Sequence, residues 1–183
     1  GQATHCTTGC VATAMAQVMN YHEWPKTGVG SHSYTTKIAG SSTETTIESN
    51  FSEHTYDWAN MIDYYEGSGS TDRQNNAVAQ LMFDCGVGVE MEYGSLSYAY
   101  STKIPYALRT YFNYGPVCQI FWRYYYSLNK WIEMCHKSLK ECGPIIYAGE
   151  STAGAHEFVL DGFKNNQYFH VNWGWYGKSN GYF

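Results

Sequence analysis

Thr8-Gly9-Cys10-Val11-Ala12-Thr13-Ala14-Met15-Ala16-Gln17-Val18-Met19-Asn20-Tyr21-His22 places a cysteine directly after a glycine at the start of a helical pattern. Residues 11–19 are rich in Ala, Met and Val without an internal Gly or Pro, and Pro25 stops the run, which predicts a helix from about Cys10 to His22. Its apolar residues fall on nearly every face, as in a helix buried in a core rather than laid on a surface. Unpaired backbone N–H groups and the positive end of the macrodipole at its start favour a thiolate over a thiol. Cys10 sits in that first turn and is the candidate nucleophile.

A chain of 183 residues fits one compact domain with a sizeable apolar interior. Its net charge of −5 and its scattered Lys and Arg residues leave no basic footprint, which argues against nucleic acid as a partner. No stretch approaches the ~20 apolar residues of a membrane span. Aromatic residues (17%) outnumber charged ones (15%), a composition of folded, β-rich proteins with tyrosine-lined grooves. The chain opens a few residues before Cys10 and stops at Gly181-Tyr182-Phe183 inside a strand-like pattern, so it reads as cut at both ends, with any signal peptide or pro-segment outside it. Six cysteines without a CxxC pair argue against a disulfide framework, and Cys85, Cys118, Cys135 and Cys142 read as buried free thiols.

Organisation follows from the punctuation. Residues 26–52 read as loops and short extended pieces, and Tyr56 to Ile62 as a short helical turn. The spacing of Ala77, Leu81 and Cys85 predicts a helix from Arg73 to Cys85 stopped by Gly86. Partial alternation predicts a strand over Val87–Tyr93, followed by a Tyr/Ser loop to Thr102. Helices are expected over Ile104–Phe112, with Pro105 in the first turn, and Trp131–Cys142, ended by Gly143-Pro144. From Ile145 the pattern turns to strands at 145–148, 156–161 and 168–173, with turns at Ser151-Thr152-Ala153-Gly154 and Lys164-Asn165-Asn166. The reading is α+β: one domain over 1–183, helical over about 1–142, packed on an antiparallel meander over about 143–183.

A cysteine at a helix start needs a base, and there are seven histidines. His156 opens a strand after a small-residue turn, so its imidazole can project at a sheet edge and face a thiolate across a cleft. His170 lies mid-strand, either on a satisfied polar face or in support of the site. His22, at the helix end, reads as structural, and His136 as facing solvent. His5, Cys6, Cys10 and His22 could instead make a zinc site, but paired spacings for four ligands are missing.

Three segments, Gly9 to His22, Gly154-Ala155-His156-Glu157-Phe158-Val159-Leu160-Asp161-Gly162 and His170-Val171-Asn172-Trp173-Gly174-Trp175, resemble the streptopain family of bacterial cysteine peptidases in order and spacing. Tyr56-Asp57-Trp58, Leu81 to Val87 and Met91 to Gly94 resemble its middle section. The resemblance implies a papain-like fold, secretion by a bacterium, a zymogen with an N-terminal pro-segment, and endopeptidase action on proteins or peptides without metal or organic cofactor. It makes Cys10 the nucleophile and His156 the general base. Asn172 supplies its backbone carbonyl to the imidazole, Trp173 shields that contact and Trp175 joins the aromatic wall. Gly154 and Ala155 would pair with substrate, and the loop from Tyr93 to Ser101 would line a pocket, with Ser101 a substrate contact.

Two departures stand out. Glu157 occupies a position where the family has a small residue, and strand alternation turns it away from the base. The glutamine that the family uses as an oxyanion donor lies upstream of the nucleophile, where Gln2 is not an equivalent. The alternatives are acyl transfer or amidase chemistry from the same Cys/His pair, or a catalytically impaired fragment or binding module.

Overall fold

The computed structural model describes residues 5–38, 41–65, 67, 69–152, 154–165 and 167–183; Gln2 and the turn positions Ala153 and Asn166 lie outside them. The first helix, α1, runs Cys10–His22, and Val11, Ala12, Ala14, Met15, Ala16, Val18 and Met19 are all buried. Two different surfaces bury it. Val11, Ala12, Met15, Ala16 and Met19 enter a core with Phe51, Leu81, Cys85, Val87, Leu108 and Phe112, while Ala14 and Val18 pack on Val159 with Ile146 alongside. Small residues on a helix enclosed on both sides let neighbouring backbones approach closely.

The helical half contains α2 (Asp72–Gly88), α3 (Ile104–Tyr111) and α4 (Leu128–Glu141). It also holds an antiparallel hairpin, β1 (His32–Lys37) with β2 (Glu44–Ser49), where the sequence suggested only short extended pieces. Strict alternation of half-buried and exposed positions runs along β1, but His32, Tyr34 and Thr36 carry it, so hydropathy contrast is weak. The second half is an antiparallel meander of β3 (Ile145–Ser151), β4 (Gly154–Lys164), β5 (Tyr168–Asn172) and β6 (Gly181–Tyr182), in that spatial order. The α+β reading and the meander stand, with each of β3 and β4 longer than the pattern predicted.

Four local expectations fail. The helix α2 does not stop at Gly86, and no strand covers Val87–Tyr93. A Cβ at Gly86 would overlap the Tyr93 hydroxyl, and one at Gly88 would press on Ala107 at 3.3 Å, so these glycines serve close packing instead of ending the helix. Burial of Val87, Val89 and Met91 outweighs the cost of about 1 kcal/mol for each helical glycine. Among the cysteines, all free, Cys85 and Cys135 are buried, but Cys118 is half-buried and Cys142 exposed. His136 does not face solvent freely: its ring lies 4.4 Å from Phe163 and 5.0 Å from Phe169, across the α4–sheet contact. Burial and the nearby Lys140 ammonium hold its pKa below the usual 6.5.

Asp84, fully buried on α2, ties the helical half together. It accepts hydrogen bonds from Ser49 Oγ (2.7 Å), Tyr56 Oη (2.8 Å) and Gln80 Nε2 (3.2 Å), and His54 Nδ1 lies 2.9 Å away. One carboxylate thus joins the hairpin, the following loop and α2. No helix among the described residues is long and apolar enough to cross a membrane.

Asp84→Ala would leave several buried polar groups without a partner and is expected to cost on the order of 3 kcal/mol in urea unfolding. Because the folded-state pKa of His136 is depressed, its stabilising contribution is fully present above about pH 6.5, the unfolded value, and is lost as pH falls from there through the lower folded-state pKa. Thermal melts of His136→Phe between pH 5 and 8 should therefore show a smaller loss of Tm toward acid than the parent chain.

Candidate active site

Gly9 precedes α1 at φ 89°, and a Cβ there would stand 2.6 Å from Met91 Sδ and 2.8 Å from its Cε. Backbone conformation and close packing therefore both call for glycine. Among the described residues no side-chain hydrogen bond caps the helix start. The carbonyl of Gly9 accepts from Thr13 N (3.1 Å) and Thr13 Oγ1 (3.0 Å), so the first turn is closed from below. The approach to Cys10 is stitched to the segment after α2: Thr7 N donates to Gly94 O (3.0 Å), Ser97 N donates to Thr7 Oγ1 (3.0 Å), and Ser97 Oγ donates to Thr7 O (2.5 Å). Cys10 itself is half-buried, with N–H groups of an uncapped helix start around it.

His156 lies on β4 opposite Gly149 of β3. Its Nε2 is 2.9 Å from the carbonyl oxygen of Trp173. A carbonyl can only accept, so Nε2 carries the hydrogen and a neutral ring keeps its lone pair on Nδ1. This corrects the expected partner, which was the carbonyl of Asn172. Trp173 plays both parts, since its ring is also 6.1 Å from the imidazole, and Trp175 lies closer at 4.9 Å. The two indoles stack at 5.5 Å. Trp173 is fixed in turn by its indole N–H on Ser179 O (3.0 Å) and its backbone N–H on Asn180 Oδ1 (3.0 Å).

Asn172 has a different task. Its Oδ1 accepts from Gly174 N (3.0 Å) and from Gln17 Nε2 (3.2 Å) on α1. The sequence reading missed Gln17, though an amide side chain two turns after Cys10 in a buried run was its signal. Cys10, Thr13 and Gln17 share one helix face by their spacing. Gln17 meets Asn172, and a Cβ at Gly174 would meet Thr13 Cγ2 at 3.0 Å. Continued one turn toward the helix start, this face carries Cys10.

Strand β5 pairs with β4 only from Val159 onward. Among the described residues, Gly154 to Phe158 therefore have β3 on one side and an unpaired backbone edge on the other. Gly154 and Ala155 are exposed there. Glu157, only 5% exposed, accepts a hydrogen bond from Ser101 Oγ at 2.5 Å. Ser101, expected as a substrate contact, thus has its hydroxyl committed to this carboxylate. Burial pushes the Glu157 pKa up from its ordinary value, partly offset by the Ser101 hydrogen bond and the nearby His156. His170 is bound through Nδ1 to Asp161 (2.5 Å) and packs edge-on to Tyr182. No group of three or more His, Cys, Asp or Glu among the described residues is arranged to hold a metal ion.

The whole chain, residues 1–183, matches the model of the peptidase C10 family. Streptopain of Streptococcus pyogenes is 36% identical over 182 residues, covering 98% of this chain and 46% of streptopain. The thiol protease/hemagglutinin PrtT of Porphyromonas gingivalis is 35% identical over 177 residues, 96% of this chain and 20% of PrtT. The chain thus spans about half the length, or less, of these relatives. Active wild-type interpain A, a cysteine protease of Prevotella intermedia, is 39% identical with a TM-score of 0.90, covering 100% of this chain and 76% of that one. A prointerpain A fragment from the same organism is also 39% identical, with a TM-score of 0.88 and coverage of 100% and 58%. These likenesses bear out the α+β, papain-like fold, and the chain belongs to the peptidase C10 family.

Proposed function

We propose that residues 1–183 form a single papain-like peptidase domain that hydrolyses peptide bonds through Cys10 and His156. The observation that supports this reading is the Nε2–H contact to the Trp173 carbonyl, which leaves Nδ1 free as a base, while the Gln17–Asn172 bond ties the neighbouring backbone to the helix that bears Cys10. In the reaction, His156 Nδ1 takes the thiol proton and Cys10 Sγ attacks the peptide carbonyl carbon. The oxyanion forms by the uncapped start of α1, within reach of the Cys10 N–H. His156 then gives its proton to the leaving amine as the C–N bond breaks, leaving a thioester. Water, deprotonated by His156, attacks the thioester carbon, and the carboxylic acid and the thiol are released.

The free edge of β4 supports substrate binding by strand addition, in which Gly154 and Ala155 offer backbone groups to an extended peptide without reading its side chains. Trp173 and Trp175 cover the imidazole on the side of the carbonyl contact and keep water from competing for it. Asn172 and Gln17 act at one remove, by tying the Trp173–Gly174 backbone to the helix of the nucleophile. Secretion as a zymogen with an N-terminal pro-segment is part of the same proposal, supported by the streptopain resemblance and by the existence of a pro-form of interpain A.

Cys10→Ala should abolish hydrolysis of casein, and retained activity would overturn the assignment. His156→Ala should lower turnover by ~10²–10⁴ and slow alkylation of Cys10 by iodoacetamide. Asn172→Ala should reduce kcat by roughly tenfold with KM nearly unchanged, because it displaces the group that orients the base while leaving the substrate edge intact. Steady-state kinetics on one peptide separate these outcomes.

A further inference from the structure

The segment between α2 and α3 is held at three places. Its neck is closed by Lys103 Nζ on Glu90 Oε2 (2.6 Å), with His32 Nε2 3.0 Å from the other Glu90 oxygen. Its first limb packs Met91 and Ser97 against Gly9 and binds Thr7, immediately before the proposed nucleophile. Within it, Glu92 and Tyr98 pair through their backbones (2.9 and 3.1 Å), while Leu96, Tyr98 and Tyr100 remain exposed. Its last residue before the α3 turn, Ser101, reaches the strand of the proposed base, where its hydroxyl donates to Glu157.

A carboxylate buried to this degree is expensive without partners, and among the described residues Ser101 is the donor bound to it. Glu157 therefore has little freedom to release Ser101. The backbone of Glu157 is fixed as well, paired with Ala148 of β3, one position along from His156. From these contacts, and resting on the peptidase reading above, we infer that Glu157 is a positioning residue: it latches the 91–101 segment onto the His156 strand and so sets the wall against which substrate side chains are received. The Ser101 hydroxyl then serves the latch and not the substrate. The segment is bonded at one end to the residues just before Cys10 and at the other to the strand of His156, and its exposed Tyr98 and Tyr100 side chains are carried between the two.

Hydrogen exchange and steady-state kinetics on the full chain test this together. In Glu157→Ala, amides of residues 93–103 should exchange about tenfold faster or more, while those of α1 and β5 keep the parent rates. KM for a casein-derived peptide should rise several-fold with kcat changed less than about twofold, since the wall loosens while the dyad stays in place. Glu157→Gln, which keeps an acceptor for Ser101, should restore both readouts, as a purely charge-based role would not. Ser101→Ala, which alters one hydroxyl, should reproduce the exchange pattern and carries the test where Glu157→Ala does not fold. Parent-like exchange over 93–103 in these variants overturns the latch, as does an unchanged KM in an active protein. A parent chain that cleaves no peptide overturns the peptidase reading instead, and the exchange data alone then decide the latch.

Discussion

Burial of α1 on two sides is the constraint from which the rest of the structure follows. A helix with one apolar stripe needs one partner layer; this one needs two, and the chain supplies a helical core against Met15 and Met19 and a sheet against Ala14 and Val18. The two halves meet across the helix more than across each other. At roughly 25 cal/mol per Å² of apolar surface, neither half alone could keep both faces out of water. The separation of Cys10 and His156 onto different halves is thus a by-product of how the core closes, and the relative placement of the two is as rigid as the helix between them.

Around that helix the polar contacts divide the work. A backbone carbonyl, from Trp173, orients the imidazole; a side-chain amide, from Asn172, anchors the backbone that carries it; and Gln17 links this anchor to α1. Each contact restrains the next by one bond. The 91–101 segment is restrained by Thr7, Gly9 and Glu157. Cooperative sets of this kind are worth more than isolated pairs, because each group is already ordered when its neighbour binds.

Much of this was legible in the sequence where composition contrasts were strong. The bounds of α1 follow from Gly9 and the uninterrupted Ala/Met/Val run, and the meander from alternating apolar residues set off by turn residues. What escaped has a common physical origin. Glycine marks conformational freedom but not its use, so Gly86 read as a stop although it and Gly88 admit Tyr93 and the α3 side chains to a continuing helix. The hairpin β1–β2 alternates in burial through His, Tyr and Thr, which hydropathy hardly separates from their neighbours. Carbonyl partners have no residue signature at all. Whether Asn172 or Trp173 faces His156 depends on one peptide's orientation, and the pairing of Ser101 with Glu157 depends on two segments 56 positions apart.

The chain treats its helix starts unequally. Thr71 and Gln74 form a full capping box on α2, and Ser127 accepts from Lys130 N on α4, while α1 begins on Gly9 with no capping side chain. A Ser, Thr or Asp there would add roughly 0.5–2 kcal/mol of helix stability, a noticeable share of the ~5–15 kcal/mol that holds a domain together. It would also need a backbone conformation that only glycine adopts freely at φ 89°, and its oxygen would sit on the N–H groups beside Cys10. The missing cap at the head of α1 is stability withheld from the fold: the helix with the most buried residues begins without the side-chain bond that closes α2 and α4.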